Sequence, residues 1–498
     1  MHLGMLLEMS ADGMADRVAL GRRAEGCTFA ELDERVGRVA ALLVAREGER
    51  VGLVDVNSDA VPLVLFGAAR AGKTYVPVNY RLTDDRLQAV VERMAPATVV
   101  VGPGVAERIG QVEGITLLDR KELLDVAADP QAPRIESGGA DPDDIAVLLF
   151  TSGTTGEPKA AVLRHRHLAG YILSSVEFAG ADETDAALVS VPPYHIAGVS
   201  AVLSNAYGGR RVIYLESFEP RQWARLAEAE AITHAMVVPT MLDRILDVVE
   251  NDGITLPSLR ALSYGGGPMP LPVIERAMRL LPGVGFVNAY GLTETSSTIA
   301  VLGPEDHRDA FASDDPAVRV RLGSVGRPLP TLEVSIRDAD GSELPAGERG
   351  EIWVRGEQVS GEYLSHRVTN DKGWLPTRDA GTLDEGGFLF VHGRLDDVIV
   401  RGGENLSPGE IEAVLLDHPA VAEAAVFGIP DTAWGEKVVA AVVLVDGAIA
   451  TEGELQEHVR ARMRSTGTPE LIQLRASLPY TETGKLLRRE LRNELAGS

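Results

Sequence analysis

Nine apolar runs recur between residue 50 and about 290: "VGLVDV", "YVPVN", "ATVVVG", "IAVLLF", "ALVSVPP", "RRVIYL", "THAMVV", "LRALSYGGG" and "FVNAYG". Stretches of helical period separate them. Continuous runs of this kind are strands buried on both faces, and their alternation with helices predicts βα units and largely parallel sheets. The stretch "TFAE" at 28 to 31 has the capping-box spacing ahead of a helix. Between about 320 and 393 the texture changes to "LEVSIRD", "GEIWVRG" and "GFLFVHG", separated by "DADG" and "DEGG", which predicts antiparallel hairpins. After "GRLDD" (393 to 397) the pattern restarts with "VIVRGG", a helix from Pro408, "AAVFGI", "KVVAAVVLV", a helix from Thr451 and a final "IQLRASLPYTETGKLLRREL". That is a compact α+β module of about one hundred residues. The pattern predicts an α/β protein: a large N-terminal part with βα-alternating sheets and a β-rich subdomain, then a small α+β C-terminal domain.

Composition narrows the partners. A chain of 498 residues exceeds what one core serves, so two or more domains are expected. A net charge of -25 repels nucleic acid and anionic membrane surfaces, so neither is expected as a partner. One cysteine, Cys27, leaves no internal disulfide, and it reads as a small buried hydrophobe. The ten histidines show no zinc-type spacing. The N-terminus carries Glu8, Asp12 and Asp16 and lacks a signal peptide's basic start and apolar centre. No run is long enough to span a bilayer, and a cytoplasmic, non-inserted protein is expected.

One polar stretch changes the picture. "TSGTTGEPK", 151 to 159, offers four hydroxyls, two glycines and a lysine between an apolar strand and a helical stretch beginning near His165. Hydroxyl and backbone N–H donors with one full charge can hold an anion such as phosphate. The spacing is not that of a P-loop, because Pro158 stands five places after Gly153 and Ala160 follows Lys159. Taken alone, a phosphate cradle and a polar surface turn both remain open.

Five further motifs join it: "PPYHIAG" (192 to 198), "NAYGLTET" (288 to 295), "TRDAG" (377 to 381), "GRLDDVIVRGGENLSPGEIE" (393 to 412) and "TGKLLRREL" (483 to 491). Together, in this order and over nearly the whole chain, they resemble the adenylate-forming superfamily of acyl- and aryl-CoA synthetases, adenylation domains and luciferases. The resemblance implies a large domain, 1–394, a hinge at 395–397 pivoting at Asp396, and a mobile small domain, 398–498. It implies ATP, Mg²⁺ and coenzyme A: a carboxylate displaces pyrophosphate from ATP, then a thiol displaces AMP from the acyl-adenylate. By the same resemblance Thr151, Ser152, Gly153, Thr154, Thr155, Gly156 and Lys159 serve the phosphates, with Thr151 and Glu294 near the metal. Tyr290 and the glycines Gly265, Gly266 and Gly267 flank adenine, and Pro268, Asn288, Ala289, Gly291 and Thr293 are further nucleotide-binding positions. Asp379 and Arg394 hold the ribose, Gly402, Gly403 and Glu404 come from the small domain, and Lys485 is catalytic with His195 and Glu294. Each residue has a plain alternative when taken singly: Asp379 as a turn former, Arg394 as a surface ion pair, Lys485 as a solvated lysine, His195 as a packed ring. Ala160 departs from the family, which usually has Gly after the lysine.

The acyl pocket implied by the resemblance is His195, Ile196, Val199, Tyr264, Gly265 and Ala289. Relatives that activate amino acids place Asp where this chain has Ile196, and those that activate dicarboxylates tend to place Arg where it has Ala289. A buried ammonium or second carboxylate would lack its partner, so an uncharged acyl or aryl tail is expected. The "RGGENLSPGEIE" stretch is closer to CoA ligases than to carrier-loading domains, and the C-terminal "LAGS" lacks the Ser-Lys-Leu tail of luciferases. The alternatives are a free-standing enzyme loading an acyl carrier protein and a nucleotide-binding relative without catalysis. Against the latter, Lys485, Glu294, Asp379 and Arg394 are all present.

Overall fold

The computed structural model describes residues 1–496 apart from 137, 139, 152–158, 402–403, 432–433, 464 and 482–485. The apolar runs form strands and pair in parallel. In a six-stranded sheet, Ile115–Asp119, Ala97–Val101, Arg50–Val54, Thr74–Pro77 and Ile145–Thr151 run parallel in that spatial order, and Lys159–Arg164 closes the edge antiparallel. A nine-stranded sheet holds the parallel run Val18–Leu20, Arg211–Tyr214, Ala186–Val189, His234–Val237, Ala261–Gly265 and Gly285–Leu292. Helices between these strands bury their apolar stripes. The helix Ala60–Arg70 is buried at every residue, as a helix apolar all round must be, in a core shared by strands of both sheets.

The sequence pattern predicts a loop and then a helix after Thr151; the chain instead returns as the strand Lys159–Arg164 before the helix His165–Ser175. The capping box forms as read: the Glu31 N–H donates to the Thr28 hydroxyl at 3.2 Å, and the Thr28 N–H to the Glu31 carboxylate at 2.9 Å. Cys27 is buried, and burial pushes its thiol pKa up, away from reactivity.

The hairpin region is a four-stranded antiparallel sheet of Leu332–Arg337, Gly350–Gly356, Leu375–Leu383 and Leu389–Arg394. Its apolar face packs on Ile299 and Ala300 of the strand Ser297–Leu302, which seats it against the edge of the nine-stranded sheet. Beyond residue 398 a separate five-stranded sheet is built on Val421–Asp431 and Gly435–Leu444, with its own core around Val426, Val438 and Leu455. Among the described residues, polar contacts between this smaller C-terminal domain and the four-stranded sheet or its flank include Arg349 to Glu410 at 2.7 Å and the Ser407 hydroxyl to the His392 carbonyl at 2.8 Å.

Candidate active site

In an open parallel sheet the carboxyl ends of the strands form the natural crevice. Three neighbouring regions of the nine-stranded sheet deliver the candidate residues there. The strand Ala186–Val189 runs out through Pro192 and Pro193 to His195, which precedes the helix Ile196–Gly208. The strand Ala261–Gly265 ends in the Gly-Gly-Gly-Pro turn, 265 to 268. The strand Gly285–Leu292 carries Asn288, Ala289, Tyr290 and Gly291 into the turn Thr293–Thr295. Gly265 lies opposite Ala289 in the ladder, and a Cβ there would run into the Ala289 carbonyl oxygen, so only glycine lets these strand ends approach. Tyr264 points the other way: it is fully buried in the core beneath the sheet, its hydroxyl 2.8 Å from His307 Nε2, so it offers the crevice only backbone. The Asn288 amide donates to the Ser324 carbonyl at 3.1 Å.

Tyr290, Asp379 and Arg394 come together although distant in sequence. The Tyr290 hydroxyl donates to Asp379 Oδ2 at 2.6 Å, and Arg394 Nη1 donates to Asp379 Oδ1 at 3.0 Å. Asp379 and Arg394 face each other across adjacent strands of the four-stranded sheet. Thr377 completes the arrangement: its hydroxyl accepts the Asp379 N–H at 3.1 Å, and its carbonyl accepts Arg394 Nη1 at 3.1 Å. Burial, with Asp379 beside it, holds the Tyr290 phenol well above its ordinary pKa, so it stays a donor. Asp379 is 5% exposed, and a buried carboxylate held by tyrosine and arginine can exchange these partners for the hydroxyls of a ligand.

A second cluster forms at Glu294. Its carboxylate accepts the Tyr363 hydroxyl, and its carbonyl accepts the N–H groups of Ser360 and Gly361 at 2.9 and 3.2 Å. Lys159 Nζ stands 5.9 Å from the centre of the same Tyr363 ring. The segment 360 to 364 runs along the strand Lys159–Arg164, with Leu364 donating to the Ala160 carbonyl at 3.1 Å, so Tyr363 bridges Lys159 and Glu294. Gln358, 2% exposed, clamps the turn after Glu294 by donating to the carbonyls of Thr295 and Thr298 at 3.0 and 2.8 Å. Ser296 and Ser297 there take positive φ, 57° and 122°, a strained conformation of the kind that marks functional sites. One carboxylate near a lysine is a donor set that suits a hard cation held mainly by other oxygen ligands; among the described residues no three potential ligands cluster to hold one alone.

His195 is lowered to a pKa of about 4 by burial, so its ring is uncharged at neutral pH. It packs 4.5 Å from Tyr194, which meets Tyr80 edge-on at 5.7 Å. Val199, one turn on, is buried, and Ile196 is half-buried. Residues 152–158, Gly402, Gly403 and Lys485 lie outside the described residues, as do the side chains of Thr151 and Glu404. The hinge candidate Leu395–Asp397 is a single 3₁₀ turn directly after Arg394. Tyr363 and Gln358 lie outside the motifs, and no local spacing marks them, because each acts through a contact made only by the fold; Thr377 opens the "TRDAG" stretch, and its hydroxyl serves Asp379 two residues on.

These features define a two-domain α/β protein with a carboxylate, arginine and tyrosine cluster at the carboxyl edge of its main sheet. The profile of the "AMP-binding enzyme" family matches residues 7–364, and that of the "AMP-binding enzyme C-terminal domain" matches residues 410–485. The chain belongs to the AMP-binding enzyme family, within the adenylate-forming superfamily. It is 33% identical over 474 residues to a feruloyl-CoA synthase of an Amycolatopsis species, covering 93% of each chain. It is 32% identical over 492 residues to a fatty acid–acyl-carrier-protein ligase of Streptomyces coeruleorubidus, covering 94% of this chain and 92% of the relative. Among solved structures, the o-succinylbenzoate CoA synthetase of Bacillus subtilis, in complex with its acyl-adenylate intermediate, matches with a TM-score of 0.83 at 30% identity, covering 98% of this chain and 97% of that one. No helix among the described residues is long and apolar enough to cross a membrane.

Proposed function

We propose that this chain is an ATP-dependent, AMP-forming acid–thiol ligase that activates a carboxylic acid with an uncharged aryl or aliphatic tail and passes the acyl group to coenzyme A. One observation carries the reading. A single strand end serves two clusters, with Tyr290 in the Asp379–Arg394 pair and Glu294, four residues on, facing Tyr363 and Lys159. A carboxylate able to hold ribose hydroxyls and a lysine able to meet phosphate on one crevice support the reading, since an adenosine triphosphate requires both.

In the first half-reaction a carboxylate oxygen of the acid attacks the α-phosphorus, the bond to the β-phosphate oxygen breaks, and pyrophosphate leaves. Mg²⁺, when bound at Glu294 and the phosphates, supplies charge compensation. Lys159 and Lys485 offset the repulsion between the acid and the triphosphate, and Asp379 holds the nucleotide in place. In the second half-reaction the thiol sulfur attacks the acyl carbonyl, its proton is lost to solvent, and the bond to the AMP oxygen breaks. The small domain, 398–498, rotates about Asp396 between the halves, bringing Lys485 to the first and the strand-loop from Gly402 to Asn405 to the second. The neutral His195 ring acts as a steric gate between the acyl pocket and the thiol path.

Ile196 and Ala289 support the uncharged tail, since neither compensates a buried charge, which costs several kcal/mol when unpaired. The feruloyl-CoA synthase is similar in name and sequence to what this reading requires, whereas o-succinylbenzoate carries a second carboxylate and is the natural challenge. Pyrophosphate release is to be compared for ferulate, benzoate, octanoate, 2-succinylbenzoate, malonate and phenylalanine. One of the first three leads in kcat/KM, with a margin over malonate and phenylalanine of roughly a hundredfold or more, equivalent to about 3 kcal/mol. Malonate or phenylalanine leading would discard the pocket reading. Acyl-CoA found by mass spectrometry without carrier protein assigns the acceptor; its absence, with product only on a carrier, favours the carrier-loading alternative.

A further inference from the structure

The turn Leu395–Asp397 carries two consecutive acids, and each is held by an arginine from a different side. Asp396 Oδ1 accepts from Arg378 Nη2 at 2.6 Å, and Arg378 belongs to the strand Leu375–Leu383 of the large domain. Asp397 faces Arg488 at 3.5 Å, on the last helix of the small domain. Arg488 is itself fixed by both oxygens of Glu412 at 2.7 Å and by the Val426 carbonyl at 3.2 Å.

Arg378 adopts a left-handed backbone, φ +64°, unfavourable for any residue with a Cβ. Its N–H is tied to Glu351 Oε1 at 3.0 Å, and the strand is bulged two residues later, between Ala380 and Gly381. That backbone turns the Arg378 side chain out toward Asp396 while the next residue, Asp379, turns inward to Tyr290 and Arg394. One strained residue therefore stands between the nucleotide pocket and the turn.

We propose that Arg378 is a positioning residue for the domain rotation: it holds Asp396 to the large domain, while Arg488 holds Asp397 to the small one, so the rotation is confined to the backbone joining these two aspartates. This rests on the two-half-reaction reading above. Arg378 is 57% exposed and Asp396 42%, so the pair is screened by salt and weak enough to open in each cycle.

The test uses the full chain and two readouts. Val398 N–H donates to the Leu395 carbonyl at 3.3 Å across the turn, and its hydrogen exchange reports the turn without any catalysis. The ratio of adenylation to thioester formation from supplied acyl-adenylate reports the consequence. Arg378→Gly removes the charge and suits the left-handed backbone, so a general loss of fold is not expected. Asp396→Asn removes the charge at the other end. Each variant speeds Val398 exchange and shifts the half-reaction ratio roughly two- to fivefold, the size an exposed ion pair carries. The double variant moves no further than either single, and high salt brings the wild type toward the variants. Unchanged exchange in both single variants, or strictly additive shifts, overturns the proposal. If exchange responds but no acid releases pyrophosphate, the ligase reading fails and only the restraint of the turn by Arg378 stands; if pyrophosphate is released and exchange does not respond, the ligase reading stands and the role of Arg378 falls.

Discussion

Two arginine–aspartate pairs lie side by side at the junction of the domains and are built to opposite ends. Arg394–Asp379 spans two paired strands, with the aspartate side chain 6% exposed and further bonds to Tyr290 and Thr377. Arg378–Asp396 uses the neighbouring residues, yet both of its side chains lie open to water. Burial makes the first pair stiff and costly to break, and exposure makes the second cheap to make and unmake. On the proposed mechanism, the residues that hold one nucleotide through two reactions need the former, and a turn that moves between them needs the latter.

The largest expected effect tests whether the two domains divide the chemistry at all. Lys485→Ala lowers adenylation by roughly 10² to 10³-fold, the usual loss for a preorganised charge, while thioester formation from supplied acyl-adenylate survives. An equal fall in both halves, with the fold intact by circular dichroism, would show that the lysine does not belong to one half. Asp396→Pro fixes φ and removes an N–H in the turn, so it retains one half-reaction and loses the other. Undiminished overall turnover would take Asp396 out of the hinge. The two pairs themselves separate in urea unfolding. Arg394→Ala leaves Asp379 buried without its cation and lowers stability by about 2 to 3 kcal/mol, below the 3 to 5 of a fully buried pair because Arg394 is itself one-third exposed. Arg378→Ala changes stability by no more than about 1 kcal/mol. Equal losses would erase the contrast.

The sequence showed the parallel sheets well, because continuous apolar runs have few other solutions. It failed at two strands that frame the site. Leu375–Leu383 contains Thr-Arg-Asp-Ala-Gly, turn formers by local preference, and becomes a strand because Gly350–Gly356 and Leu389–Arg394 pair with it from both sides. Lys159–Arg164 begins beside Pro158 and is held by Ile145–Thr151 and by the segment through Tyr363. Motif positions named Tyr290, Glu294, Asp379 and Arg394, but the tyrosine on Glu294 is set by a contact between distant segments and leaves no local trace, whereas the threonine under Asp379 stands two residues before it in the same motif.

Acid offers a gentler separation of the two domains. His165, His167, His195 and His234 all lie in the large domain, and burial lowers each to a pKa of about 4 from the ordinary 6.5. The small domain has His418 and His458, both partly exposed, and burial lowers His458 as well, so its share of the acid response is smaller rather than absent. A histidine kept neutral by folding contributes nothing to the pH dependence above 6.5. Between 6.5 and 4 the unfolded chain takes up a proton that the folded chain refuses, so stability falls as pH falls, by about 1.4 kcal/mol per pH unit for each such group. His165 is the sharpest case. Its Nδ1 accepts the Leu3 N–H at 3.2 Å, the His2 ring and the terminal amino group add repulsion to its charged form, and Asp144 opposes them only in part. His165→Asn keeps an acceptor near Leu3 and removes the titration, so the slope of unfolding free energy between pH 6.5 and 4 flattens by about 1.4 kcal/mol per unit. Trp223, fully buried in the large domain, and Trp434, exposed in the small one, give separate fluorescence reports when the other tryptophans are replaced. The Trp223 signal is expected to be lost at the higher pH; loss of the Trp434 signal first, or an unchanged slope in His165→Asn, would mean that acid acts through groups other than the buried histidines.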